Sequence, residues 1–322
     1  MNFNMIQAAA GRLEGHVRVT PMLTSPFLDK IAGRRVLVKA ECLQHTGSFK
    51  FRGGWSAVSA LSDNVLKAGV IAFSSGNHAQ GVAMAASAHG APAVIIMPSD
   101  APQIKIKNTR ILGAEVILYE RKTENRDEIG ARIASERGLT LIKPYDEPQV
   151  IAGQGTTGLE IAEQAGALDV TSADVMVCCG GGGLTSGIAL ALAKVAPDLR
   201  VRPAEPKGFE DVTRSLISGK IEHNIAHSGS ICDAIITIAP GNITFPIMQA
   251  HCGPGVVVTD NECLRAMGLA FSCLKIVVEP GGAAALAAVL FHPDQFNGDA
   301  VIAIATGGNV DPTQFTHALQ TL

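Results

Sequence analysis

The chain has 322 residues, with Lys+Arg at 26, Asp+Glu at 29 and a formal net charge of −3. At roughly 100–200 residues per domain, this length holds about two lobes and needs no covalent staples to bury a core. With 47% hydrophobic and 17% charged residues the chain is not disordered, and with slight negative charge and 4% aromatics it lacks a surface for nucleic acid or an anionic membrane. The expected partners are small molecules and other copies of the chain.

Seven cysteines occur, an odd number, and none is paired at C-x-x-C spacing. That indicates neither a zinc site nor a disulfide framework, and fits a reducing compartment. The first 17 residues lack the charged and apolar regions of a signal peptide. The most apolar stretches are too short or too interrupted to span a bilayer. A soluble cytoplasmic protein is expected.

Short β-branched runs predict strands at 36–39, 70–73, 93–97, 115–118, 174–178 and 301–305. They are apolar throughout, as strands covered on both faces are. Ala-rich segments at 77–89, 126–137, 184–196 and 260–274 predict helices between them. The alternation implies an α/β architecture with largely parallel sheets. The turn-rich SDN near 65 and KPYDEP near 147 mark candidate lobe boundaries.

Five segments could carry chemistry. In QHTGSFKFRGG (44–54) a polar turn runs into a helix with Lys50 at its start. The helix dipole there lowers an ammonium pKa, which suits a Schiff-base lysine, while an ordinary surface lysine fits the pattern equally. In FSSGNHAQG (73–81) a strand ends in a polar loop at a helix N-terminus, either an anion site or a routine capped turn, with His78 read as structural. In CCGGGGLTSG (178–187) four glycines between strand and helix form an anion cup. Neither G-x-G-x-x-G nor the Walker A pattern matches there, so a phosphorylated cofactor or substrate is expected rather than a dinucleotide. In AEPKGFED (204–211), Glu205 and Asp211 read on spacing alone as a solvated acidic turn, with an oxygen cation site as the other reading. In VIAIATGGNVD (301–311), Thr306 stands at a strand's C-terminal end, either where open parallel sheets bind ligands or as a plain strand end and turn.

Taken in order, TGSFKFRG, SSGNHAQG, IAGQGT, GGGG, AEPKGFED and ATGGNVD resemble the serine/threonine dehydratase and serine racemase family of pyridoxal-phosphate (PLP) enzymes. The resemblance covers nearly the whole chain. It implies the tryptophan-synthase-β-like fold (PLP fold type II), two open, mostly parallel lobes with the cofactor between them. Residues 1–65 plus 148–322 would form the large PLP-binding domain and 66–147 a small mobile one.

By the same resemblance Lys50 would bond to the cofactor aldehyde, with Phe49 packed on its ring. Gly180, Gly181, Gly182, Gly183 and the Leu184 backbone would cradle the phosphate. Asn77 would meet the pyridine hydroxyl and Thr306 the pyridine nitrogen. Ser74, Ser75, Asn77 and His78 would hold the substrate carboxylate, and Ser75 would supply a proton on the face opposite Lys50 where racemisation occurs. Glu205, the Phe209 carbonyl and Asp211 would bind Mg2+, Mn2+ or Ca2+, which reverses the reading from spacing. Tyr145 departs from the Asn of animal serine racemases and tells against a pure racemase. Arg126 either faces a distal substrate carboxylate, pointing to 3-hydroxyaspartate, or pairs with Glu124 or Glu128. The implied activity is an ammonia-lyase (EC 4.3.1 type) acting on threonine/serine or 3-hydroxyaspartate, with an amino-acid racemase as the alternative. A homodimer is implied by resemblance.

Overall fold

The computed structural model describes residues 1–74, 76–101, 103–120 and 123–322. Among these, ten strands form two sheets. The strands are β1 (Met22–Thr24), β2 (Arg35–Lys39), β3 (Val70–Phe73), β4 (Ala93–Pro98), β5 (Glu115–Tyr119), β6 (Thr140–Leu141), β7 (Ala173–Cys178), β8 (Leu199–Pro206), β9 (Val256–Val258) and β10 (Ala300–Ile304). The larger sheet runs β1-β2-β10-β7-β8-β9 and the smaller β5-β4-β3-β6. Every pairing of these strands is parallel except β1 with β2. All four strands of the smaller sheet come from chain between β2 and β7.

The apolar runs follow from burial on both faces. Val36, Val38, Met176, Cys178, Val301 and Ala303 pack into the core on one face of the larger sheet. The alternate residues Leu37, Val175, Val177, Ile302 and Ile304 pack into the core on the other. The smaller sheet repeats this, with Val70, Ala72, Ile95 and Met97 on one side and Ile71, Val94 and Ile96 on the other. Burying each large side chain of this kind stabilises the fold by about 1.5–3 kcal/mol.

The six expected strands fall within a residue of those observed. The expected helices appear as Asn77–Ala88, Arg126–Arg137, Gly183–Val195 and Asp260–Leu269. Two details differ. The last helix stops at Leu269 and continues as a π-helical turn, Ala270–Leu274. The SDN segment starts a short helix, Asp63–Ala68, because Ser62 takes the extended N-cap conformation.

Strand β8 escaped the apolar-run test because its sequence, LRVRPAEP, carries two arginines and two prolines. Arg202 is nonetheless buried. It donates to Asp174 at 3.0 Å and to the Pro254 and Gln295 carbonyls at 2.8 and 2.7 Å.

The carboxyl ends of strands in both sheets supply the segments singled out above. Ser74 follows β3, Ile142 follows β6, Gly180 follows β7 and Thr306 follows β10. The helices Lys50–Ser59 and Asn77–Ala88 cross backbone to backbone where a Cβ at Gly81 would lie 2.9 Å from the Lys50 carbonyl oxygen. That bare crossing brings His78 beside Lys50, whose charge it feels.

Candidate active site

Lys50 opens its helix, held by the Phe49 amide donating to the Thr306 carbonyl at 3.1 Å. Its Nζ donates to the Pro144 carbonyl at 2.8 Å and stands 5.2 Å from the Phe49 ring centroid. Burial pushes its ammonium down to about 8. The surface-lysine reading is thereby excluded.

The residue after Pro144 joins Lys50 to the glycine segment. A Cβ at Gly181 would lie 2.3 Å from the Tyr145 ring, and one at Gly183 would lie 3.0 Å from Tyr145 Cα. A Cβ at Gly182 would meet Met248 Cε at 2.5 Å, and Gly182 holds a φ of +89° that L side chains rarely adopt. Gly180 is crowded by Ile235 Cα at 3.2 Å. The Gly181 carbonyl is held by Thr244 Oγ1 at 2.6 Å. Gly182 is the N-cap of the helix Gly183–Val195 and, being glycine, brings no side chain to cap that first turn. Side-chain-free backbone at such a helix N-terminus, with Leu184 at its second position, is a cradle that fits a phosphate.

Across from the cup, Asn77 begins its helix in a fixed orientation. Its Nδ2 donates to Glu279 Oε1 at 2.5 Å, and its Oδ1 accepts from Asn309 Nδ2 at 2.8 Å. Glu279 is buried, and burial pushes its carboxyl up to about 7. Ser74 Oγ accepts from the Gly76 amide at 3.1 Å, shaping the loop. His78 is buried with Nε2 donating to the Ile142 carbonyl at 2.9 Å. Burial, then the neighbouring Lys50 charge, push it down to about 3, so it is neutral. That agrees with its reading as structural. Thr306 is buried, with its amide on the Gly282 carbonyl at 3.3 Å. Ser75 lies outside the described residues.

Arg126 opens the helix Arg126–Arg137 and is exposed. Its charge acts on the Tyr145 phenol, which is nevertheless pushed up, chiefly by burial and then by Asp146. Arg126 therefore lies within electrostatic reach of Tyr145.

Glu205 and Asp211 are not a solvated turn, because both are buried. Strand β8 delivers Glu205 at its end, where it accepts from the Val212 and Thr213 amides at 2.9 and 2.7 Å and from Thr213 Oγ1 at 2.5 Å. Asp211 Oδ1 accepts from Asn224 at 2.6 Å, whereas its Oδ2 is buried without a partner among the described residues. Burial, then Asp211, push Glu205 up to about 8, and burial pushes Asp211 up to about 6. Two desolvated carboxylates, one of them with an orphaned oxygen, form a hard donor set that fits a divalent cation. Among the described residues, no group of three or more His, Cys, Asp or Glu side chains gathers as a metal cluster.

Sequence reasoning assigned no role to Glu279, Asn309 or Pro144. Glu279 stands before a Pro and reads as a plain helix start. Pro144 acts through its carbonyl, which leaves no mark in the sequence.

Comparison with known proteins agrees with this geometry. A family model described as "Pyridoxal-phosphate dependent enzyme" matches residues 13–307. An L-threo-3-hydroxyaspartate ammonia-lyase of Pseudomonas sp is 44% identical over 319 residues, covering 99% of this chain and 98% of the other. A serine racemase of Schizosaccharomyces pombe is 39% identical, covering 98% and 97%. The crystal structure of a threonine deaminase from T.th. superposes with a TM-score of 0.91 at 41% identity, covering 97% and 99%. Because the match from 13 to 307 takes in both sheets, Lys50 and the glycine cup, the chain belongs to the family of pyridoxal-phosphate dependent enzymes.

Proposed function

We propose that the protein is a PLP-dependent lyase that removes water and ammonia from a β-hydroxy α-amino acid to leave a keto acid, with 3-hydroxyaspartate as its leading substrate. The observation that carries the reading is Lys50, half-buried with its ammonium lowered to about 8, joined through Pro144 and Tyr145 to a glycine cup. The cofactor, when bound, supplies a sink for the electron pair left when the substrate's Cα–H bond breaks. Gly180–Gly183 and the Leu184 amide would hold its phosphate, Phe49 would pack on its ring, Asn77 would take the ring hydroxyl and Thr306 the ring nitrogen. The neutral Thr306 hydroxyl would not hold that nitrogen protonated as a carboxylate would.

Lys50 takes the Cα proton, and its lowered pKa keeps a useful fraction of free amine near neutrality. Ser74, Ser75, Asn77 and the His78 backbone amide hold the α-carboxylate where the helix Asn77–Ala88 begins, while the neutral His78 ring stays on the Ile142 carbonyl. Arg126 takes the distal carboxylate of 3-hydroxyaspartate, for which a guanidinium's paired donors are suited. Its charge on Tyr145 and the 44%-identical ammonia-lyase support that choice. Glu205, the Phe209 carbonyl and Asp211 hold a divalent cation, supported by the unpartnered Asp211 Oδ2. The small domain, 66–147, closes on substrate. The enzyme works as a homodimer in the cytoplasm.

An amino-acid racemase of the serine or aspartate type, with side elimination, is the second reading, supported by the 39%-identical serine racemase and by Ser75. The test is ammonia release from L-threonine, L-serine and the threo and erythro isomers of 3-hydroxyaspartate, with PLP and Mg2+, and chiral analysis of the recovered substrate. A hydroxyaspartate isomer is expected to lead. Inversion without ammonia would install the racemase reading. Preference for serine or threonine would remove the role of Arg126.

A further inference from the structure

Gln154 lies in the helix Pro148–Ala167 and is fully buried. Among the described residues, neither its Oε1 nor its Nε2 has a hydrogen-bond partner. Buried polar groups are almost always paired, and an amide with both ends orphaned is tolerated where a bound group completes it. Packing alone does not account for it, because an apolar side chain of the same length would fill the space without that cost.

The amide lies against both the cup and the helix that Lys50 opens. A Cβ at Gly183, the last glycine of the cup, would lie 2.7 Å from Oε1. A Cβ at Gly53, one turn beyond Lys50, would lie 3.0 Å from Nε2. Half a turn about the terminal bond exchanges the two atoms without moving the rest of the side chain, and no hydrogen bond among the described residues selects either sense. An anion in the cup accepts hydrogen bonds only, so it selects the sense that turns the NH2 toward it.

We propose that the Gln154 carboxamide is a further donor to the phosphate in the Gly180–Gly183 cup, added to the backbone amides. The proposal rests on the cofactor standing in that cup. It makes Gln154 a phosphate-reading residue whose unpaired amide also disfavours the cofactor-free state.

The test uses the full chain stripped of cofactor and compares its affinity for pyridoxal phosphate with that for pyridoxal, which lacks the phosphate. Gln154→Met keeps the side-chain length and removes both polar groups. It should weaken pyridoxal phosphate about tenfold or more, as expected for one charge-assisted hydrogen bond. Its affinity for pyridoxal should stay that of the wild type, its cofactor-free Tm should not fall, and the 31P resonance of the bound cofactor should shift. Equal weakening of both ligands, or of neither, overturns the proposal. If Gln154→Met does not fold, Gln154→Asn, which withdraws the amide by one methylene, is read by the same pair of affinities. A wild type that binds both ligands equally well overturns the cup assignment itself, a separate and distinguishable failure.

Discussion

Lys50 and Arg126 are placed by opposite means. Lys50 is half-buried at the start of a helix, against a carbonyl and an aromatic ring, and its lowered pKa follows from lost solvation. To take the Cα proton in the proposed reaction, Lys50 would have to be a neutral amine. Its base form therefore grows as pH rises through about 8, and kcat should rise with it; a kcat flat from about pH 6 to 9 would remove Lys50 as the base. Lys50→Ala should abolish the absorbance band of the lysine-bound cofactor and lower turnover by at least roughly 10³-fold. Arg126 is exposed, and its charge is felt at Tyr145. Arg126→Ala should cut kcat/KM for 3-hydroxyaspartate about 10–100-fold, the loss of a paired guanidinium, with little effect on serine. Equal losses on the two substrates would assign Arg126 a structural role.

Among the elements, the cup and the Asn77 helix start are built in contrasting ways. The cup depends on absent side chains. Gly182→Ala puts a Cβ into Met248 at a strained φ and should cost about 1–3 kcal/mol, read as a lower Tm and weaker cofactor binding. The Asn77 helix start depends on Glu279. Its folded pKa of about 7 lies above the ordinary 4.5, so the native state binds that proton more tightly than the unfolded chain does. Its contribution to stability is full below about pH 4.5 and is lost as pH rises through about 7. Glu279→Gln still accepts from Asn77, so it should raise Tm at about pH 8 and barely change it at about pH 5. A variant less stable at both pH values would show that the charge itself is needed. At the end of β8, Mg2+ should raise Tm and EDTA lower it, and Glu205→Ala should erase the difference.

Across the whole molecule, the sheets meet through helices anchored by a buried ion cluster. Arg52, two residues past Lys50, donates to Glu41 at 2.8 Å from both Nε and Nη2 and to Glu160 at 2.6 and 2.9 Å. Lys39 on β2 shares Glu160 at 2.5 Å. Arg52→Leu would leave Glu41 buried beside only part of its compensation, and should cost roughly 3–5 kcal/mol in chemical denaturation. The smaller sheet's loops reach the site from chain inserted between β2 and β7. Closure of this part on substrate should appear as slower proteolysis and a smaller radius of gyration with malonate bound.

Much of this was written locally. Continuous β-branched runs give sheets covered on both faces, because only such strands can be apolar at every position. The glycine run announced side-chain-free backbone at a helix start, because a Cβ there meets Tyr145, Met248 or Ile235 at close range. The sequence did not reveal where the polar groups end up. Glu205 and Asp211 read as a solvated turn on spacing alone, since spacing does not show burial, and both are buried. Strand β8 was hidden because Arg202 finds its partners only in space. The same holds for Glu279 against Asn77 and for the Pro144 carbonyl against Lys50. Propensity, periodicity and backbone freedom are properties of neighbouring residues, and the sequence determines them. Desolvation and hydrogen bonding between segments 94 or 202 residues apart were decided only by the tertiary structure, because both depend on which surfaces the fold brings together.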